Sequence, residues 1–405
     1  MYRVLFYNFE RFLEQYEHRF EKEYGYLRPI VQEVVEKYLN CGNPKNGFAR
    51  IKCKDCGTER LLMFSCKTRG FCPSCHSKRR EEWAEWMRED LILDTPHRQV
   101  VFTIPKMLRV FFKYNRSLLS GLCLCGKKTL VKYFKAVAGR EITPGIVAVI
   151  QSFGSRINLH SHLHFLVSEG GSDLEGCFHS VCRFNDDLLR EIFTREVFSL
   201  LLRKQLINLT LVQKILCWRH TGFHVHSKVR AESKKEAERV GKYMIRPILS
   251  LSKLSFDETQ GYVIYQYGKH STELERMDYL EFIARVTSHI PDKGQVIIRY
   301  YGLYSNAHRG KIRKREVDPP HGLVIEDETT FKPSAGWAEM IKKVYEIDPL
   351  ICPKCGGTMR IVSFIEDYKV IDKIIKHLNL TFKAVRPPPP QAQLSMAAEE
   401  PSEYM

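Results

Sequence analysis

Three histidines alternate at positions 160, 162 and 164 in Asn158-Leu-His-Ser-His-Leu-His164, and the run continues Phe165-Leu-Val167. In an extended strand every second side chain shares a face. The three imidazoles would therefore line one side, while Leu163, Phe165 and Val167 pack on the other. Neutral imidazole is the commonest metal-ligating side chain, and polar Asn158 and Ser161 do not suit a purely structural strand. Two chemistries fit. One is a cupin-like or hydrolytic metal site. The other is a histidine-hydrophobic-histidine nuclease centre, in which His162-Leu163-His164 holds a divalent ion against a scissile phosphate.

The nuclease reading requires a nucleophile, and Tyr243 is the best placed. It lies in Glu238-Arg-Val-Gly-Lys-Tyr-Met-Ile-Arg-Pro247. On a helix it would share a face with Val240 and Met244, with Arg239, Lys242 and Arg246 spread around it. A phenol becomes a useful nucleophile when a metal polarises the phosphate and basic groups stabilise the phenolate. His224 and His226 alternate just upstream and could supply a third ligand or face phosphate. Tyr300, Tyr301 and Tyr304 stand near Arg299 and His308, an interleaving that can stack unpaired bases or simply pack. Arg309-Gly-Lys-Ile-Arg-Lys-Arg315 suits a phosphate-tracking or solvated loop.

The thirteen cysteines form a separate signal. Cys53-Lys-Asp-Cys56 and Cys72-Pro-Ser-Cys75 have the spacing of a zinc ribbon, each turn offering two sulfurs to one tetrahedral zinc. Cys41, Cys66 and His76 are spare candidates. Lys67, Arg69, Lys78, Arg79 and Arg80 surround the pairs, as expected of a basic module that meets DNA. Cys352-Pro-Lys-Cys355-Gly-Gly is a second knuckle with no second pair beside it, either a tight turn or a half-site completed from afar.

These groups must be positioned by more than one unit, because 405 residues exceed a single typical domain. The pattern predicts helices over residues 1–40, a cysteine-rich segment at 41–76 and a helix capped by Ser77 running to Leu93. Strands are expected at Gln99–Ile104, Ile146–Gln151 and through the histidines. Helices are expected at 107–120, 127–138 and 187–216. A strand at 222–230 then leads to a helix from Ser233 that Pro247 stops. This order fits an α+β fold, an antiparallel nuclease sheet with helices on one side, preceded by a helical and zinc-ribbon-like N-terminal domain. The expected divisions are 1–92, 97–310, 311–386 with the knuckle, and a disordered tail at 387–405. The net charge of +16 favours a polyanion partner. No apolar run reaches the roughly 18–20 residues of a membrane span, so the expected location is the cytoplasm, at the nucleoid.

Several segments, in order, resemble the IS-ninety-one group of rolling-circle transposases, members of the histidine-hydrophobic-histidine endonuclease superfamily. They are Cys53-x-x-Cys56 through Cys72-Pro-x-Cys75, Val101-Phe-Thr-Ile-Pro105, Gln151-Ser-Phe-Gly154 with the histidine run, Gly222-Phe-His-Val-His226, Tyr243-Met-Ile-Arg-Pro247, His289-Ile-Pro-Asp-Lys293, Arg299-Tyr-Tyr-Gly302 and Asp348-Pro-Leu-Ile-Cys352-Pro-Lys-Cys355. The resemblance implies an N-terminal zinc-binding domain followed by a nuclease domain. It also implies that His162 and His164 bind a catalytic Mg2+ or Mn2+, and that Tyr243 attacks DNA to leave a 5′-phosphotyrosine. Members with two catalytic tyrosines place them four residues apart. Here those positions are Arg239 and Pro247, so the chain resembles a one-tyrosine variant. The expected partners are single-stranded element ends and target DNA, with Arg69, Arg79, Arg80, Lys242 and Arg246 as contacts, structural Zn2+ at Cys53, Cys56, Cys72 and Cys75, and no membrane. The rival expectations are a replication-initiator or relaxase-like nicking enzyme and a catalytically dead zinc DNA-binding protein.

Overall fold

The computed structural model describes residues 1–68, 70–257, 259–268, 273–316 and 350–377, with backbone alone at 312–316. The expected tail at 387–405, the contact at Arg69 and the side chains of Arg313, Lys314 and Arg315 lie outside the described residues. Three helices open the chain: α1 (Tyr2–Arg19), α2 (Glu21–Tyr24) and α3 (Pro29–Leu39). Strands β1 (Phe48–Cys53) and β2 (Glu59–Met63) precede α4 (Pro73–Trp86). Helix α4 starts earlier than expected. Cys72 occupies the cap position and Pro73 the first turn, where a missing N–H costs nothing, so Ser77 lies inside the helix. A π-helical turn, Met87–Leu91, ends it.

The central sheet contains β3 (His97–Thr103), β4 (Thr143–Phe153), β5 (Leu159–Ser172), β6 (Phe178–Ser180), β7 (His224–Ala231) and β11 (Ile298–Gly302). Its order is β11-β4-β5-β3-β7, with β6 beside β5, and every pairing is antiparallel. The chain is therefore α+β, as its pattern indicates. Between the strands lie α5 (Arg109–Tyr114), α6 (Leu118–Ala138), α7 (Asp186–Arg203) and α8 (Leu209–Leu216).

Helices cover both faces of this sheet rather than one. Leu163, Phe165 and Val167 project into a core with Phe102, Leu122, Phe134, Phe193 and Val197, so α6 and α7 close that side. The opposite side carries the histidines. It is closed by α4, the π-turn and α9 (Lys234–Met244) through Met87, Val149, Ala237 and Met244. Gly241 makes the close approach of α9 feasible. A Cβ there would stand 2.6 Å from Met87 Cε and 3.1 Å from the Trp83 ring. Ser233 caps α9 by accepting from the Glu236 backbone N–H.

A second sheet, β8 (Leu254–Asp257), β9 (Tyr262–Tyr267) and β10 (Glu273–Asp278), precedes α10 (Tyr279–Ser288). Phe9, Phe12, Phe20 and Val35 from the N-terminal helices share a core with Val263, Phe282 and Ile283. Arg28 donates to Asp292 at 2.5 Å and Tyr24 to Glu281 at 2.6 Å across the same boundary. The N-terminal helices thus pack against residues far along the chain. After α11 (Asn306–Glu316) come β12 (Met359–Ile365) and α12 (Tyr368–His377). Strand β12 pairs antiparallel with β1, Cys53 opposite Met359, giving a third sheet of order β12-β1-β2.

Candidate active site and metal centres

Strand β5 brings the three histidines together as alternation requires. The ring centroids of His160 and His162 are 4.9 Å apart, and those of His162 and His164 are 4.8 Å apart. Burial draws His162 down to about 4 and His164 to about 3, so both rings are neutral near pH 7. The Nδ1 of His162 lies 2.7 Å from the carbonyl of His160, which leaves its Nε2 lone pair for a ligand. The Nδ1 of His164 lies 3.0 Å from the Gln99 amide on β3, and its Nε2 is buried without a partner. Either end of an amide can face a ring. Turned to accept from Nδ1–H, Gln99 would orient His164 as an outer hydrogen-bond partner orients a metal-bound histidine.

Gln151 adds a group that the histidine pattern alone does not reveal. It stands opposite His162 on β4, donates to the Met244 carbonyl at 2.5 Å, and has a buried Oε1 with no partner. Two neutral imidazole nitrogens and an orphaned carbonyl oxygen suit a divalent ion that accepts oxygen and nitrogen. The sequence signal was a glutamine in an otherwise apolar strand, in register with the histidines.

Tyr243 sits at the end of α9 above this group. Its ring centroid is 5.9 Å from that of His164, nearly perpendicular, and the residue is 49% exposed. Arg246 lies over the Tyr243 ring at 5.1 Å and over Phe153 at 5.6 Å. His224 and His226 share the histidine face but stand one strand beyond β3, paired with Thr103 and Val101, and are exposed. Two strand spacings, about 10 Å, separate His226 from His164, so the sheet does not bring these histidines to the same point.

The expected four-thiolate set is corrected. Cys53 and Cys56 join Cys352 and Cys355, whereas Cys72 and Cys75 join Cys41 and Cys66. The physical cause is the β1–β12 pairing, which lays the late knuckle against the early one. In each, a glycine with positive φ follows the second cysteine, Gly57 at 70° and Gly356 at 74°, and turns the chain back. Sγ atoms stand 3.5 Å apart for Cys53–Cys355 and Cys56–Cys352. In the other group Cys66–Cys75 is 3.5 Å and Cys41–Cys75 is 3.7 Å. Sulfurs about 2.3 Å from a tetrahedral zinc would be about 3.8 Å apart, so both groups fit the ion. The Thr58 hydroxyl, 3.1 Å away, brings Cys56 down to about 6, and hydrogen bonding from Cys41 brings Cys66 to about 6. The same sulfur–sulfur contacts push Cys41, Cys72 and Cys355 up, so in each group a thiolate on one sulfur is shared with thiols on its neighbours until a cation offsets the charge.

His76 is no thiolate substitute. Its Nδ1 accepts from Gly70 N–H at 3.1 Å, and its Nε2 bonds the Ile245 carbonyl at 2.7 Å, tying α4 to the end of the tyrosine helix. Lys242, expected at DNA, is held by Glu81 at 2.6 Å and Glu238 at 2.8 Å, and so joins α9 to α4. Arg79 pairs with Glu82 and Arg80 with Glu81. Of the three tyrosines, Tyr304 is buried against His97, and Tyr301 contacts Cys123 in the core. Only Tyr300 stays beside Trp83 and Trp86, accepting from Trp83 Nε1 at 2.7 Å.

Two family models match this chain. Residues 9–104 match the transposase zinc-binding domain family, and residues 145–311 match a family described as putative transposase. Together they define a transposase with a zinc-binding N-terminal part. The chain belongs to the IS-ninety-one group of transposases. The transposase for insertion sequence element IS801 of Pseudomonas savastanoi pv. phaseolicola is 29% identical over 382 residues, 90% of each chain. The putative transposase y4qJ of Sinorhizobium fredii is 28% identical over 285 residues, 64% of this chain and 70% of the relative. No solved structure matches. No helix among the described residues is long and apolar enough to cross a membrane.

Proposed function

We propose that this transposase nicks single-stranded DNA at the ends of its element and rejoins it through a phosphotyrosine at Tyr243. The observation that carries the reading is the placement of a half-exposed Tyr243 at 5.9 Å, ring to ring, from His164. His162, His164 and Gln151 would hold Mg2+ or Mn2+, whose chemistry is to polarise a phosphate oxygen and offset its charge. Tyr243 Oη attacks the scissile phosphorus and loses its proton to solvent. The phosphorus–O3′ bond breaks, the 3′ oxygen takes a proton from water, and the 5′ phosphate stays on the tyrosine. One ester replaces another, so rejoining to a target 3′-OH requires no nucleotide hydrolysis. Arg246, above the Tyr243 ring, would face phosphate charge.

One zinc at each cysteine group would brace this centre, and the basic surface would meet DNA in the bacterial cytoplasm. The test is Tyr243→Phe, which removes only the attacking oxygen. Wild-type protein should yield a covalent DNA adduct on a denaturing gel, and the variant should yield none while still binding. An adduct of undiminished yield from Tyr243→Phe would remove Tyr243 as nucleophile.

A further inference from the structure

A cavity of about 770 Å³ opens beside the nucleophile, between α4, the edge of the sheet at β4 and β11, and the chain that leaves α9. Its size lies in the range of sites that enclose a small ligand, roughly 300–1,000 Å³. Trp83, Trp86, Tyr300 and Phe153 line it, together with Arg80 and Arg246. The Nε atoms of Arg80 and Arg246 are buried and have no partner. Arg246 spans the two places, since its guanidinium lies over both Tyr243 and Phe153. The cavity therefore begins where the scissile phosphate would sit.

We propose that this cavity takes an unpaired base of the single strand, one flanking the phosphate that Tyr243 attacks. Aromatic rings and arginines together suit a nucleotide, the rings for the base and the guanidiniums for the phosphates beside it. A paired base within a duplex cannot reach into a recessed aromatic site without leaving its stack. The cavity thereby selects unpaired DNA and fixes the register of the strand on the nucleophile. It also gives α4 a role beyond carrying thiolates, because Trp83 and Trp86 stand about two and three turns beyond Cys75 on the same helix. The proposal rests on the nuclease reading for the position of the base, but its test is independent of cleavage.

The test uses full-length Tyr243→Phe protein and single strands carrying the terminal sequence of its element, with one abasic site walked along them. Removal of one base should weaken binding roughly 5- to 100-fold, and removal of the others should matter little. Trp86→Ala should lose a similar factor on intact DNA and nothing further on the strand that lacks the critical base. Trp86→Phe keeps a ring and should restore most of the affinity, which separates stacking from misfolding. A flat abasic scan, or losses from Trp86→Ala and the abasic site that multiply, would overturn the proposal. A position-specific loss without any wild-type covalent adduct would leave the pocket standing and remove the nuclease reading. A wild-type adduct with a flat scan would do the reverse.

Discussion

The two cysteine groups have the same chemistry and differ in everything around it. Cys41, Cys66, Cys72 and Cys75 close within 35 residues and rest against an aromatic core that includes Tyr38 and Phe71. Cys53, Cys56, Cys352 and Cys355 join chain segments some 300 residues apart, with Cys56 and Cys355 exposed. Among the described residues, the core behind them is Ile51, Cys53, Cys352 and Met359, with Ile361 at its edge. So small a cluster cannot offset the entropy of ordering three strands. The first group can lose its ion and keep a packed scaffold. The second has little else to hold β12 on β1.

Metal removal should therefore separate them, and this is the largest expected effect. The wild type should carry two zinc ions per chain. Cys352→Ser with Cys355→Ser should carry one and lose amide-exchange protection throughout β1, β2 and β12, since zinc contributes on the order of 10 kcal/mol in small modules. Cys72→Ser with Cys75→Ser should also carry one, yet α1 and α3 should stay protected. Equal loss in both variants would erase the distinction.

The histidine strand contrasts with both cysteine groups because its three imidazoles are neighbours on one rigid element, with Gln151 in register on the next strand. His164→Ala and His162→Ala should each abolish nicking, and His160→Ala should cost less, as measured by adduct yield. If His160→Ala were the most damaging, the register of the site would be wrong. A smaller effect comes from buried histidines on other elements than β5. Burial depresses His97 and His289 to about 4, against about 6.5 when unfolded. Above pH 6.5 both states are neutral and nothing changes. Below it the unfolded chain takes protons that the folded one refuses, so stability falls as pH drops from 6.5 to about 4. Each group contributes a loss of about 3 kcal/mol at most, and thermal melting across that range would show it. The smallest effect is expected from His76→Ala, which removes the link between α4 and Ile245 and should cost about 1 kcal/mol. A loss several times larger would mean that His76 does more than join two elements.

The same contrast explains what the sequence discloses. Alternation at 160, 162 and 164 is local, and so are the Ser233 cap and the Pro247 stop around Tyr243, so the centre can be read from one strand and one helix. Thiolate partnership is not local. Every Cys-x-x-Cys turn offers the same two-sulfur corner. The β1–β12 register brings the Cys53/Cys56 corner to Cys352/Cys355, which leaves Cys72/Cys75 to Cys41 and Cys66. Lys242 is another such case, because Glu81, which holds it, lies on a different helix. Gln99 and Gln151 are polar residues of interior strands, and neither carries a label until the register sets it beside a histidine.

The most direct test of the nuclease centre is to map the covalent link. Wild-type protein incubated with Mg2+ and a single-stranded element end should be digested and sequenced by mass spectrometry. The expected result is a 5′-phosphate ester on the peptide containing Tyr243, and no modified peptide from His164→Ala. A linkage at another tyrosine, or cleavage with no protein-bound DNA, would contradict it.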